Sequence, residues 1–197
     1  MVHLLANVNS DMHASYQQLL NGAFDLVCFD LETNGFETDT AIVEIGAIKI
    51  KAGMLDLFPE GTEEFHSLIM FDGIPNPDAF AVHKISLELL EKEGRPLNNV
   101  LTDFAKFTNG AALLGQNVIA FDLRILNYHL ARHSLALQCV AVFDTKFLAR
   151  KLLNVPSYSL SSLVKCLGVD HAPTHRSLDD VIATIKVFQK LIKKLKI

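Results

Sequence analysis

The segment from Phe24 to Glu32 has the sequence FDLVCFDLE, an apolar run without the 3.6-residue period of an amphipathic helix. It predicts a strand that is buried on both faces. The segment from Ile42 to Ile50, IVEIGAIKI, is rich in β-branched residues and predicts a second strand, and a third is expected within Glu63–Met70. The connections between these three strands are too short for a helical crossover, so the sequence predicts an antiparallel meander.

Beyond the meander, helices and strands alternate, which predicts an α/β domain with a mixed sheet covered by helices. No repeat or linker interrupts the chain. We therefore expect residues 1–22 to be an N-terminal helical extension, capped by Asn9 or Ser10, and residues 23–197 to be a single domain. The predicted strands of this second part are Ala112–Gln116 and Cys139–Thr145, and its helices are expected near 78–82, 87–93, 97–107, 121–134, 160–167 and 178–194.

Length and composition indicate a folded protein. The chain has 197 residues, half of them apolar, which suffices for one sizeable buried core. Its apolar runs are shorter than the ~18–20 residues of a membrane span, and its N-terminus lacks a signal-peptide pattern. The three cysteines are scattered without a CxxC pair, which argues against a disulfide framework or a zinc site and suits a reducing cytoplasm.

The net charge of −4 gives no sign of a nucleic-acid partner, because proteins that depend on phosphate contacts are usually basic. Bound cations would, however, neutralise a site built from carboxylates. One basic cluster lies near the C-terminus, and it equally fits a solvated helix face that complements the helix dipole. Its members are Lys186, Lys190, Lys193, Lys194 and Lys196.

Asp30 and Glu32 stand at the end of the first predicted strand. Residues i and i+2 of a strand point to the same face, so two carboxylates would project side by side. Like charges this close repel one another unless something positive is bound, and Mg²⁺ prefers carboxylate oxygen. The alternative is that both side chains lie just beyond the strand, in solvent.

Two further acidic positions follow at helix starts. Asp122 ends the segment NVIAFD after a buried strand, where a carboxylate also suits the first turn of a helix. His175 lies in the loop before the last helix, and Asp180 lies within its first turns, so the two side chains are expected beside one pocket. Read separately, Asp122 fits a helix cap and His175 fits a surface residue.

Taken together, these motifs resemble the DnaQ-like exonucleases of the DEDDh group. Asp30-Leu31-Glu32-Thr33 is followed by Glu44-Ile45-Gly46-Ala47, by Asn-x(3)-Phe-Asp ending at Asp122, and by His-x(4)-Asp ending at Asp180. The group includes the proofreading epsilon subunit of bacterial DNA polymerase III, ribonuclease T and oligoribonuclease. The resemblance covers roughly residues 26–188 and implies a ribonuclease H-like mixed five-stranded sheet flanked by helices. Segments 81–85 and 144–145 also resemble family segments.

The resemblance implies two bound Mg²⁺ ions, for which Mn²⁺ should substitute, held by Asp30, Glu32, Asp122 and Asp180. It implies that His175 is the general base that takes a proton from the attacking water, with release of nucleoside 5′-monophosphates. An imidazole has an ordinary pKa of about 6.5, so we expect activity to fall at acid pH.

By the same resemblance, Leu31, Thr33, Phe36, His83 and Asn117 would contact the substrate. Stacking of a base on Phe36 would contribute about 1–3 kcal/mol, whereas ordinary loop packing explains the same residue equally well. His83 would contact the substrate or lie against the wall of its pocket.

Several positions depart from the family pattern or compete with the assignment. The family usually has His where this chain has Gln116, and Gly where it has Lys84. The sister subgroup places a tyrosine base at the position of Arg176, which cannot accept a proton from water. Asp179 should point about 100° away from Asp180 around the helix, so the spacing favours Asp180.

The sequence leaves the substrate and the partners open. DNA is the expected substrate, as single strands or frayed 3′ ends. An exoribonuclease and a non-catalytic nucleic-acid-binding relative are the alternatives, and the His-x(4)-Asp element argues against a phosphotransfer domain that shares only the fold. The epsilon subunit binds its polymerase through a C-terminal extension. Here the sequence stops at the helix of Asp180, so we expect a free-standing enzyme or a polymerase bound through another surface.

Overall fold

A five-stranded mixed sheet forms the centre of the computed structural model, which describes residues 12–195. Its spatial order is β3-β2-β1-β4-β5, so β1 is the central strand. This architecture confirms the predicted α/β fold with a sheet flanked by helices. The strands are Leu26–Thr33 (β1), Ile42–Ile50 (β2), Thr62–Leu68 (β3), Ala112–Gly115 (β4) and Val142–Asp144 (β5).

The first three strands form the predicted antiparallel meander. Glu32 of β1 lies opposite Glu44 of β2, and the register shifts between Glu32 and Thr33. On the other side of β1, strands β4 and β5 run parallel to it. The central strand therefore joins an antiparallel half to a parallel half, and its carboxyl end lies where the two halves meet.

Helices cover both faces of this sheet. Helices α1, α6, α7 and α8 pack on one face, and α4 and α5 pack on the other, while α2 and α3 cover a smaller cluster around Val43 and Leu68. Within residues 12–195 the helices are Met12–Leu20 (α1), Pro77–His83 (α2), Leu87–Glu93 (α3), Leu97–Phe107 (α4), Asp122–Arg132 (α5), Thr145–Leu152 (α6), Leu160–Leu167 (α7) and Ser177–Ile192 (α8), with a short 3-10 turn at Leu55–Leu57. None of the helices in this range is long and apolar enough to cross a membrane.

The alternation of β1 decides which face receives its acidic residues. Leu26 and Cys28 pack with α8, whereas Phe29 and Leu31 pack with α4 and α5 on the opposite face. Successive side chains of a strand point to opposite faces, so Asp30 follows Cys28 towards α8. The last helix is therefore the element that meets the acidic end of β1.

Two predicted boundaries differ from the structure or fall outside it. The strand expected at Cys139–Thr145 is regular only from Val142 to Asp144. Thr145 begins α6 instead, because the Asp144 side chain caps that helix by accepting from Phe147 N (3.1 Å). The chain before it still runs beside β4, and Val140 N donates to Ala111 O (3.1 Å). The caps predicted at Asn9 and Ser10 lie outside the described residues.

Candidate active site

Three carboxylates meet where the carboxyl end of β1 approaches the start of α8. Asp30 and Glu32 come from the strand, and Asp180 comes from the first turn of the helix. One carboxylate oxygen from each lies within 4.8 Å of the other two. The structure therefore brings together three of the four acidic residues that the sequence singled out.

Asp122 approaches the same strand from the other side. It is the first residue of α5, is buried, and its Oδ1 accepts from the backbone N–H of Leu31 at 3.2 Å. That N–H lies between Asp30 and Glu32 in the chain, so the fourth carboxylate is attached to the backbone of the acidic strand. Its oxygens are not part of the three-carboxylate group.

Burial favours the protonated forms of all four groups, and repulsion within the cluster adds to it at Asp30 and Glu32. Burial, followed by the charge of Asp122, raises the pKa of Asp30 well above its ordinary value. Burial and Asp180 raise the pKa of Glu32 to about 8, and burial raises the pKa of Asp122 to about 7. The pKa of Asp180 is also raised by burial. These raised pKa values indicate that too little positive charge lies near the four carboxylates to stabilise their charged forms.

The donor set fits a hard divalent cation. Mg²⁺ and Mn²⁺ are bound through carboxylate oxygens, and this site offers several such oxygens on one side of β1. None of the three residues of the group is a cysteine or histidine, which are the donors that softer metals prefer. A bound cation would offset the burial that raises the four pKa values and the repulsion that adds to it at Asp30 and Glu32.

The loop before α8 is tied to Asp180. Asp180 Oδ1 accepts from the backbone N–H groups of Thr174 (2.9 Å) and His175 (3.2 Å). His175 has a φ of +59° and an exposed side chain. Asp179 is not in the carboxylate group and accepts instead from Thr174 Oγ1 at 2.5 Å. The structure thus places the backbone of His175 beside Asp180 and turns Asp179 towards the loop.

Glu44 is the residue of this site that the sequence reasoning missed. Its carboxylate is fully buried, beside Glu32 on the next strand. It is paired with Arg176 (Nη2–Oε1 2.5 Å), contacts His66 Nε2 at 2.9 Å and accepts from Ser177 N at 2.8 Å. Although burial alone would raise its pKa, the hydrogen bonds from His66 and Arg176 lower the pKa of Glu44 to about 2. The signal in the sequence was a single carboxylate inside the apolar strand IVEIGAIKI.

Of the predicted substrate contacts, Thr33 is the last residue of β1 and Phe36 lies on the loop that follows it. Thr33 is buried, and its hydroxyl donates to Gly35 O at 2.7 Å. Phe36 is 76% exposed, with its ring centroid 6.1 Å from that of Phe121. Arg124 holds this loop through a hydrogen bond to Phe36 O (2.6 Å). An exposed aromatic ring on a loop that is held by a hydrogen bond is available to stack on a base.

His83 offers a buried donor without a partner. Ile85 N donates to its Nδ1 at 3.0 Å, so the neutral ring carries its proton on Nε2. Burial lowers the pKa of His83, and Nε2 has no partner among the described residues. Lys84, where the family usually has Gly, takes the left-handed conformation that closes α2, with a φ of 58°. The backbone shape that glycine favours is therefore kept.

Asn117 lies on the turn that leads to α5. Its φ is +60°, and its backbone N–H donates to Asp144 Oδ1 at 3.2 Å. The neighbouring Gln116 donates to Tyr158 O at 2.8 Å and also contacts the Thr145 hydroxyl. Gln116 thus ties the β4 loop to α6 and to the chain before α7.

Comparisons with known proteins agree with this arrangement. The model of the RNase_T family, described as Exonuclease, matches residues 27–188. The PolC-type DNA polymerase III of Thermotoga maritima is 32% identical over 177 residues, which cover 89% of this chain and 12% of that protein. The polymerase of Clostridium perfringens is 30% identical over 179 residues, covering 87% and 11%. The chain therefore spans about an eighth of the length of these curated relatives.

Solved structures share the fold. Exonuclease I of E. coli in complex with a dT13 oligonucleotide has a TM-score of 0.72 at 21% identity, and the match covers 86% of this chain and 41% of that one. Exonuclease I of Methylocaldum szegediense also has a TM-score of 0.72, at 22% identity, covering 88% and 41%. Both likenesses support a ribonuclease H-like sheet with flanking helices.

Proposed function

We propose, from the premise that this chain belongs to the RNase_T family of exonucleases, that it is a divalent-metal-dependent 3′–5′ exonuclease acting on DNA. Membership confirms the resemblance to DnaQ-like exonucleases that the motifs predicted. The convergence of Asp30, Glu32 and Asp180 within 4.8 Å is the observation that carries the proposal. DNA is preferred over RNA because the relatives are named as DNA polymerases and a structural neighbour holds a dT13 oligonucleotide.

In the proposed mechanism, Asp30, Glu32, Asp122 and Asp180 hold two divalent cations, with Mg²⁺ as the expected ion. When bound, the cations supply Lewis-acid stabilisation of the attacking and leaving oxygens and a lower pKa for water. The four carboxylates would hold the cations where the terminal phosphodiester binds. Leu31 N–H keeps Asp122 turned towards β1.

His175 takes the proton of the attacking water. The water oxygen forms a bond to phosphorus, the bond from phosphorus to the 3′-oxygen of the preceding nucleotide breaks, and that oxygen takes a proton from solvent. The products are a nucleoside 5′-monophosphate and a strand that is one nucleotide shorter. The exposed side chain of His175 allows its ring to return the proton to solvent after each cycle.

Two further side chains bind the terminal nucleotides in this proposal. Phe36 stacks on a base, and the Nε2–H of His83 donates to an oxygen of the substrate. Thr33 and Asn117 shape the loops on either side of the acidic strand end. The PolC-type relatives make a polymerase a candidate partner.

The test uses single-stranded DNA and RNA oligonucleotides of equal sequence, labelled at the 5′ end, with Mg²⁺ or Mn²⁺. We expect a ladder that shortens from the 3′ end on DNA, and no shortening in EDTA or in Asp30→Asn. Asp170→Asn, which makes the same change at an exposed carboxylate, is the matched control and should retain full activity. A ladder on RNA alone would show that the substrate is RNA and not DNA. No ladder on either substrate would remove the exonuclease from consideration and favour a nucleic-acid-binding relative.

A further inference from the structure

The start of α8 lacks a cap of its own. Arg176 occupies the N-cap position, and its side chain makes no capping hydrogen bond. The first N–H groups of a helix need acceptors, and they favour negative charge. A helix that carries a carboxylate of the site in its first turn thus depends on another element to fix its start.

Glu44 supplies that acceptor from the neighbouring strand. Its Oε2 accepts from the backbone N–H of Ser177, the first residue of α8, at 2.8 Å. Its Oε1 accepts from Arg176 Nε (3.1 Å) and Nη2 (2.5 Å). One buried carboxylate therefore binds both the helix backbone and the side chain of the residue between His175 and Ser177.

The backbone of β2 reinforces this contact. A Cβ atom at Gly46 would lie 2.8 Å from Leu178 N and would also meet the Ser177 hydroxyl. The absence of a side chain at Gly46 thus lets the first turn of α8 lie directly on β2. Strand β2 carries Glu44 and Gly46 on one face, and that face holds the helix start in place.

Glu44 and Arg176, the two ends of this connection, each lie next to residues of the proposed site. Arg176 directly follows His175, and Asp180 binds the backbone N–H groups of Thr174 and His175. Glu44 lies opposite Glu32 in the sheet register. Fixing α8 on β2 therefore also fixes His175 and Asp180 relative to the acidic end of β1.

We propose that Glu44 and Arg176 are positioning residues that set the distance between the general base His175 and the metal-binding carboxylates. The inference rests on the proposed exonuclease reaction, and it assigns Glu44 and Arg176 a role through the residues that they hold in place. Arg176 also keeps Glu44 paired, so a fifth carboxylate next to Glu32 does not join the metal site.

The test compares Arg176→Met and Arg176→Lys with Arg95→Met. Arg95 pairs with Asp103 at 2.6 Å on the surface, so Arg95→Met makes the same substitution at an exposed ion pair away from the site. Hydrogen exchange of the N–H groups of Thr174, His175 and Ser177 reports on the loop without any need for activity. Steady-state kinetics on a single-stranded oligonucleotide report on positioning.

We expect exchange at these three amides to be at least about tenfold faster in Arg176→Met, with β1 unchanged. We expect kcat to fall by at least about tenfold with KM within about twofold, since small misplacements of catalytic groups affect the reaction step. Arg176→Lys should recover part of kcat, because lysine keeps the positive charge but lacks the guanidinium group that binds Glu44 through two nitrogens. Arg95→Met should match the wild type in every readout.

Two results would overturn the inference: unchanged exchange in Arg176→Met, or a kcat within twofold of that of Arg95→Met. A wild-type protein without nuclease activity would instead refute the proposed function. The exchange experiment would then still decide whether Arg176 holds the loop.

Discussion

Replacing Glu32 by Gln is expected to stabilise the protein when divalent metal is withheld. Burial and the charge of Asp180 raise the pKa of Glu32 from 4.5 to about 8. A carboxyl group whose pKa is raised by folding contributes stability below its unfolded value of 4.5, and this contribution is lost as the pH rises towards 8. Glutamine keeps the shape of the side chain and carries no charge at any of these pH values.

The magnitude follows from the two pKa values. Each pH unit between them corresponds to about 1.4 kcal/mol, so Glu32→Gln should be more stable than the wild type by about 3 kcal/mol at pH 7 and by about 5 kcal/mol above pH 8. For a domain of this size, about 3 kcal/mol corresponds to a rise in the melting temperature of roughly 6–12 °C.

Urea unfolding in EDTA at pH 5, 7 and 8.5 measures this difference. Glu64→Gln, which changes an exposed carboxylate of β3, should leave the pH dependence unaltered. A ligand that binds only the folded state stabilises it, and Glu32→Gln lacks one of the carboxylates proposed to bind the cation. Addition of Mg²⁺ or Mn²⁺ should therefore stabilise the wild type more than Glu32→Gln. Equal stability of the two proteins at pH 8.5 in EDTA would refute the account of a site that lacks positive charge.

Three other substitutions test separate parts of the structure. Glu44→Gln should remove the acid sensitivity that a folded pKa of about 2 confers. As the pH falls from 4.5 towards 2, the wild type should lose about 3 kcal/mol more unfolding free energy than the variant, as measured by urea unfolding. Phe104→Ala should lower the free energy of unfolding by about 3–5 kcal/mol, because the fully buried ring of Phe104 packs with its centroid 5.4 Å from that of Phe29. A loss below 1 kcal/mol in thermal unfolding would contradict this packing. Gly46→Ala should lower the free energy of unfolding by about 1–3 kcal/mol and weaken Mn²⁺ binding, because the new methyl group pushes Ser177 away from β2. An unchanged Mn²⁺ affinity, measured by calorimetry, would contradict this prediction.

The sequence predicted the sheet well because its strands are apolar runs bounded by clear turns. Strand β2 has the predicted bounds Ile42–Ile50, and β1 differs from the prediction by two residues at its start and one at its end. The last strand was predicted too long, because the apolar run begins three residues before the regular strand and Thr145 already begins α6. A local pattern does not show where a side chain will begin the next helix.

The site was predicted in part for a similar reason. Asp30 and Glu32 share a face by strand geometry alone, but their meeting with Asp180 depends on how the last helix crosses β1. The partners of Glu44 come from β3 and from the start of α8, far apart in the chain. Spacing within one segment could therefore suggest a buried carboxylate but could not identify Arg176 as its partner.

The carboxylate cluster joins residues from near the two ends of the described chain. Asp30 and Glu32 belong to the first strand, and Asp180 belongs to the last helix. Proteins are synthesised from the N-terminus, so a growing chain holds the first two carboxylates long before the third has left the ribosome. Incomplete chains therefore lack Asp180, and the three-carboxylate group forms only after the last helix has been synthesised.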